Sequence, residues 1–407
     1  MYGYKDIDGA IIGSDIEDVC RICDLACTEK SKIRYRNSAL YQAGFKDVIS
    51  TKFIPMIVEG GYTAVMYTQN GEINPKTKKM VRVLEGIQSA GTYIPLEDNL
   101  HRLNNHTMVL WFEKGLFRQK SGHKTTCIIY GTALLNVYDG KTYMYEQMTS
   151  DTKIQSTTFD ELEKNMSIFR PSEIVFISNL TEQENSTIKQ FTGIQQNSPT
   201  IHNYGYDIQE VKNCTKQSYQ KHILTQQFGD CVWETCEEFQ MYPYAVQSLC
   251  YLLHFIQCRN ANLIKHIEMP IFQNESTSVI LANHTLRQLN IVLDYEENGK
   301  KYGNLSSVSS FLNKCSSAMG KRKFQYLLTH PTSDTTWLSN EYTMMTHMLS
   351  EDNRSMIKPL RGQLGKIRDI DKLGKILCSR KLMPVNLSQI YESVNHIEQV
   401  HTCIYEM

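Results

Sequence analysis

The sequence predicts a multidomain chain in which an α/β half is followed by an all-helical half. Three observations carry that prediction. At 407 residues the chain exceeds what one core usually supports, so roughly two to four domains are expected. Asp139-Gly140 separates two alternating runs, and a helix and a continuous apolar run follow it. From residue 236 onward, apolar residues recur at helical spacing.

The first region, residues 1–118, reads as mixed α/β with a mixed sheet. A helix is expected from Ser14-Asp15 to Leu25-Ala26, with Asp15 and Glu17 in the first turn, where the helix dipole favours negative charge. Cys20, Cys23 and Cys27 share one stripe with Ile16. With no second Cys/His pair at zinc-ribbon spacing, they read as a buried helix face and not as a metal site. Residues 53–58 form a further apolar helix that stops at Gly60-Gly61, although Pro55 sits awkwardly inside it. Residues 62–67 then alternate as a strand.

The middle region, residues 119–235, opens with strand-like runs at 125–131, 133–138 and 141–147, the last two joined by the Asp139-Gly140 turn. Thr158-Phe159-Asp160-Glu161 is expected to be a capping box, its helix stopping before Pro171. Residues 173–178 read as a buried strand. Hairpin, helix and strand in that order make an RNase H-like sheet. Residues 181–217 are polar and weakly periodic, and are expected to be loop or weak helix.

In the third region, residues 236–407, Ala245, Leu249, Leu252, Leu253 and Ile256 form an amphipathic stripe. Asn283 or Thr285 caps a helix running through Leu286, Leu289, Ile291 and Val292. Val308, Phe311, Leu312, Cys315 and Met319 fall on one helical face that should be buried, with Ser306 or Ser307 as its cap. Gly320 marks a close approach or bend, and Pro331 ends the next helix. Long helices are expected at 341–349, 355–367 and 384–405.

Ser317, Met319, Gly320, Arg322, Phe324, Leu328 and Pro331 stand at the spacings of the core signature of the MutS DNA mismatch-recognition family, which this chain resembles. Ala43, Gly44, Gly61, Tyr62, Val65 and Gln69 match the family's mismatch-binding domain, with Thr68 where the family has Glu. Thr285, Arg287 and Leu289 partly match a further core motif. The resemblance implies a mismatch-recognition domain at 1–118, a connector at 119–235 and a core with lever helices at 236–407. It also implies duplex DNA with mismatches or small loops as partner, and a homodimer switched by ATP and Mg²⁺. A divergent branch, such as that of large DNA viruses or organelle genomes, is expected. Ser317, Met319, Gly320, Arg322 and Pro331 would be scaffold within it.

Two family features are not found. The Phe-x-Glu motif that wedges a ring beside a mismatch is missing near Met1-Tyr2-Gly3-Tyr4. No Gly-x-x-x-x-Gly-Lys-Ser/Thr loop occurs either, since Gly320-Lys321, Gly365-Lys366 and Gly374-Lys375 lack the hydroxyl residue. The expectation is a fragment of a longer protein, with no cofactor, metal or catalytic residue of its own.

Lys+Arg and Asp+Glu both total 43, so no overall cationic field draws the chain to DNA, and contacts must be local. The candidates are Lys32, Arg34 and Arg36, and Lys76, Lys78, Lys79 and Arg82. Twelve scattered cysteines, with no secretory signal or bilayer-length apolar run, point to a reducing intracellular compartment. Two alternatives remain open: a nuclease or resolvase on the RNase H-like sheet, and a MutS-scaffold interaction protein that does not read mismatches. The first is weakened because 125–131, taken as the first strand, carries no carboxylate.

Overall fold

The computed structural model describes residues 2–5, 11–12, 15–35, 38–46, 49–73, 75, 78, 80–95, 103–118, 124–149, 154–194, 200–274, 283–292 and 305–407. The chain forms two compact units, Met1–Pro95 and Leu96–Met407. The first boundary falls earlier than residue 118 because the strand 106–118 pairs along its whole length with 124–136 in the second unit.

The first unit contains β1 (Tyr2–Lys5), β2 (Ile11–Ile12), α1 (Ile16–Cys23), β3 (Thr28–Tyr35), β4 (Ser38–Gln42), α2 (Ser50–Glu59), β5 (Ala64–Ile73) and β6 (Met80–Gln88). A four-stranded sheet has the order β2-β1-β4-β3, and β5 and β6 form a separate two-stranded ribbon. Among the described residues every ladder of this unit is antiparallel, so the mixed pairing expected here is not found. The short β3–β4 link permits nothing else, because parallel neighbours need a crossover of about a dozen residues.

Helix α1 ends at Cys23 because Asp24 turns left-handed at φ 50°, leaving Leu25, Ala26 and Cys27 outside the helix. Val19 and Cys23 pack on Phe53 and Ile57 of α2, and Ile16 and Cys20 pack with Ala43. Burial, reinforced by the neighbouring Cys27, raises the Cys20 thiol above its usual range. Helix α2 runs through Pro55 with one ladder N–H missing, and Phe45 stacks on its Phe53 at 4.7 Å.

In the second unit, β7 (His106–Arg118), β8 (Lys124–Asn136) and β9 (Thr142–Met148) form an antiparallel meander. Then follow α3 (Asp160–Phe169), β10 (Glu173–Ser178), α4 (Glu182–Phe191) and β11 (Thr200–Tyr204). The helices α5 (Gln209–Cys214), α6 (Gln217–Phe228), α7 (Val232–Thr235), α8 (Glu238–Met241) and α9 (Pro243–Arg259) lead to β12 (Ile271–Phe272). The six-stranded sheet has the order β11-β10-β7-β8-β9-β12, with β10 parallel to β7, β11 parallel to β10, and β12 parallel to β9. Mixed pairing is therefore a property of this sheet.

Both faces of the sheet are covered. Phe112, Tyr130 and Phe176 on one face meet Phe159, Leu162 and Met166 at α3, and Phe112 stacks on Phe176 at 4.9 Å. On the other face α9 comes down onto Gly131, where a Cβ would lie 2.2 Å from the Tyr244 carbonyl carbon. Glu146 of β9 accepts the Tyr244 and Ala245 N–H groups at 2.7 and 3.0 Å, which satisfies free donors at the start of α9.

Several expectations are corrected here. Strand β8 is one element, not two, because 124–136 pairs continuously with β7. Thr158 does not cap α3; its hydroxyl accepts from Gln155, and Phe159 holds the N-cap position with no side-chain cap. Within 181–217 the described residues include a strand that was not expected, β11, which pairs with β10, and a capping box joins Thr181 and Glu184 at the start of α4. The helical region does not begin its own layer at 236, since α9 packs on β7 and β8 and β12 joins the sheet.

The remaining helices are α10 (Asn283–Gln288), α11 (Val308–Leu312), α12 (Ala318–Thr329), α13 (Thr335–Met348), α14 (Arg354–Leu364), α15 (Ile370–Cys378) and α16 (Pro384–Tyr405). The Val308–Met319 stripe is not a single helix. Ser307 caps α11, the chain then leaves the helix, and Phe311 and Leu312 are exposed. Among the described residues no helix is long and apolar enough to cross a membrane.

Candidate nucleic-acid interface and signature junction

The expected phosphate contacts all lie in the first unit. Arg34 is exposed on β3, opposite Ala39 beyond a break in the β3–β4 register. Lys32 lies in the same strand, its side chain outside the described residues, as are Arg36, Lys76 and Lys79 altogether. Lys78 is exposed, with a left-handed backbone at φ 54°, between the two ribbon strands. Arg82 is exposed on β6, directly across from Gln69 of β5. Arg34 thus belongs to the four-stranded sheet, and Lys78 and Arg82 to the ribbon.

The signature residues assemble a junction in the second unit. Ser317 caps α12 by accepting the Gly320 N–H at 3.2 Å. A Cβ on Gly320 would press on the Ser317 oxygen at 3.1 Å and on Cys315 at 3.4 Å, so the bend is tight. Met319 is half-buried, and Pro331 stands just past the end of α12. Arg322, one turn into the helix, is the centre of the arrangement.

The Arg322 side chain is only 5% exposed. Its guanidinium donates to both Asp369 oxygens at 2.5 and 2.8 Å, to Asp371 at 2.8 Å and to the Leu103 carbonyl at 3.4 Å. Asp139, in the β8–β9 turn, lies 3.7 Å away and also accepts the Lys141 N–H. Burial pulls the guanidinium pKa down, but hydrogen bonding and attraction to Asp369, Asp139 and Asp371 outweigh it and hold the charge. Burial raises the Asp139 carboxyl above its ordinary value, against the Lys141 N–H and Arg322.

Asp369 also caps α15 through the Lys372 N–H. From the same helix, Lys375 donates to the carbonyls of Lys265 and His266, both at 2.9 Å. Gly140, at φ 83°, makes this approach possible, since a Cβ there would lie 2.6 Å from the His266 oxygen. A cavity of about 150 Å³ beside the junction is lined by Asn104, His106, Asn136, Tyr143, Tyr326 and Arg322, among others. Burial lowers the His106 pKa to about 4, so that ring is neutral near pH 7.

Reading the sequence missed the partners of Arg322. Asp369 carried a local signal, an Asp three residues before the N–H that it caps, but nothing local connects it to residue 322. A second omission concerns the sheet. Its first strand is β7 and not 125–131, and β7 carries Glu113, whose carboxyl is raised by burial and receives the Tyr206 hydroxyl at 3.2 Å. The absence of a carboxylate from 125–131 therefore says nothing about the first strand. Glu173 was also missed: it is fully buried, 2.7 Å from His202 and 3.6 Å from Arg259.

Residues 284–406 match the family model of MutS domain III. A DNA mismatch repair mutS homolog of Acanthamoeba polyphaga mimivirus is 24% identical over 386 residues, covering 88% of this chain and 33% of the relative. The mitochondrial DNA mismatch repair protein mutS homolog of Sarcophyton glaucum is 29% identical over 185 residues, covering 44% of this chain and 17% of its own length. The DNA mismatch repair protein MutS of Caldanaerobacter subterraneus subsp. tengcongensis is 22% identical over 355 residues, covering 86% and 36%. The chain thus spans about a third or less of the length of these curated relatives.

Proposed function

Because this chain is a divergent member of the MutS family, we propose that it binds duplex DNA carrying mismatches or small loops, as part of DNA mismatch repair. The observation that carries this reading is the extent of the match. At 88% and 86% of the chain, the viral and bacterial similarities reach into both compact units, and both relatives bear the name of mismatch repair proteins. On this reading the first unit is the mismatch-recognition domain and the six-stranded sheet is an RNase H-like connector. Arg34, Lys78 and Arg82 are the described side chains that would meet phosphates, each adding salt-dependent affinity without sequence information. Homodimerisation, and switching by ATP with Mg²⁺, are proposed for a longer MutS-type protein and not for these residues.

Retention of labelled duplexes by the purified chain tests the proposal. A G·T or single-base-loop duplex should be retained more strongly than the matched duplex. Equal, salt-sensitive retention would instead favour a MutS scaffold that does not read mismatches, and no retention would overturn duplex binding by this chain.

A second reading, a nuclease on the RNase H-like sheet, has Glu113 in its favour. Against it, Glu113 is engaged by Tyr206, Glu146 caps α9 and Asp139 faces Arg322. Among the described residues no three His, Cys, Asp or Glu side chains converge as metal ligands. Magnesium-dependent cleavage abolished by Glu113→Gln would restore this reading.

A further inference from the structure

The β5–β6 ribbon presents a row of large apolar side chains to the outside. Its register places Val65 opposite Ile87, Tyr67 opposite Leu84, and Gln69 opposite Arg82, so these six side chains share one face. A one-residue bulge at Glu85 keeps Leu84 and Ile87 on that face although they are three apart. The other face carries Ala64, Met66, Gly86 and Gln88, which are half-buried or buried, then half-buried Thr68 opposite Val83, which is 45% exposed, and Ala64 packs on the α1–α2 core. The inward packing of that face is thus confined to the end of the ribbon at Ala64, Met66, Gly86 and Gln88. The outward face is apolar, with Val65, Tyr67 and Leu84 exposed by 52%, 60% and 50%.

An outward apolar face in a soluble fold is a cost unless something covers it. The cross-strand pairs indicate what that is. They run from Val65–Ile87 through Tyr67–Leu84 to Gln69–Arg82, and exposed Lys78 lies beyond, between the strands. An aromatic ring followed by a planar amide, a guanidinium and an ammonium matches the layering of a nucleic acid, with stacked bases and sugars inside and phosphates outside. A two-stranded ribbon is also narrow enough to enter the major groove. A purely apolar partner would leave Arg82 and Gln69 unmatched.

We propose that the outward face of the β5–β6 ribbon is a duplex-DNA contact surface on which Tyr67 packs against base or sugar while Arg82 pairs with backbone phosphate. This rests on the DNA-binding reading above and adds to it the face and the residues. Tyr67 supplies affinity independent of salt, and Arg82 supplies part of the salt dependence.

Fluorescence anisotropy of the whole chain with a fluorescein-labelled duplex, titrated at several salt concentrations, tests this. Tyr67→Thr keeps the strand preference and should weaken binding by about tenfold at every salt concentration with an unchanged salt slope. Tyr67→Phe should bind like the wild type. Arg82→Gln should weaken binding and lower the salt slope by about one. If the wild type binds duplex and both Tyr67→Thr and Arg82→Gln bind equally well, the inference fails and the DNA-binding reading stands. If the wild type does not bind, both fail. Self-association that is lost in Tyr67→Thr while DNA binding is kept would identify the face as a contact with a second copy, which also overturns the inference. Should Tyr67→Thr fail to fold, the Arg82→Gln slope decides alone.

Discussion

Arg322 and Asp369 are joined by two parallel hydrogen bonds, 2.5 and 2.8 Å long, between side chains only 5% and 10% exposed. One residue belongs to α12 and the other caps α15. The pair is bidentate, which lysine cannot reproduce. Asp371 and Asp139 share the same guanidinium, so losing it would leave up to three carboxylates facing one another.

Arg322→Met should therefore cost about 3–5 kcal/mol, the range for breaking a buried ion pair from one side. Arg322→Lys should recover only part of this. Urea unfolding of the two variants measures the difference. An Arg322→Met midpoint equal to that of the wild type would show that the junction contributes nothing to stability.

Two buried histidines set a pH dependence. Burial lowers both His106 and His330 to about 4, from an ordinary value of 6.5. Unfolding lets them take up protons, so their contribution is fully present above about pH 6.5 and is lost as the pH falls towards 4. Each supplies on the order of 3 kcal/mol. Glu113, Glu146 and Asp139 act oppositely, because burial raises their carboxyl groups and protonation favours the folded state. Comparing a variant with the wild type isolates the histidine. His106→Gln should lose less stability than the wild type between pH 7 and pH 5, and parallel curves would contradict the assignment.

The contact at Gly131 leaves no room for a methyl group. The added Cβ would meet backbone atoms of Tyr244 and Ala245 at 2.2 and 2.3 Å, and no rotamer change relieves a clash with backbone. Gly131→Ala should cost at least about 3 kcal/mol, the upper end for overpacking, because all of α9 must lift. A thermal midpoint within a degree or so of the wild type would mean that α9 does not sit so close to β8.

Helix α4 depends on its cap. Thr181 accepts the Glu184 N–H at 3.3 Å and Glu184 accepts the Thr181 N–H at 2.9 Å. Thr181→Ala should cost about 1 kcal/mol, with the loss concentrated in amide protection of α4. Uniformly unchanged hydrogen exchange across 182–191 would refute the cap.

Local chemistry determined a good part of this protein. The Asp139-Gly140 turn joins β8 to β9, Gly140 taking the positive φ that such a turn requires. Residues 384–405 form one helix from Pro384 to Tyr405, because proline starts a helix readily and no breaker follows. Ser317 and Gly320 form the tight capped bend that their spacing indicates, the Gly320 N–H bonding the Ser317 hydroxyl. Local chemistry failed where a pattern had two outcomes. The Val308–Met319 stripe fits one helix, yet Ser317 starts a new one, and the polar 181–217 segment hides a parallel edge strand whose support comes from β10.

What only the tertiary structure decided is which distant groups meet. Asp139, Arg322 and Asp369 lie far apart along the chain, and hydrophobic periodicity carries no information about charges that neutralise one another inside. Likewise, alternation in β5 and β6 shows that a face is apolar but not that it points outward. That is settled by which side packs on α1 and α2, a property of the assembled unit and not of any one segment.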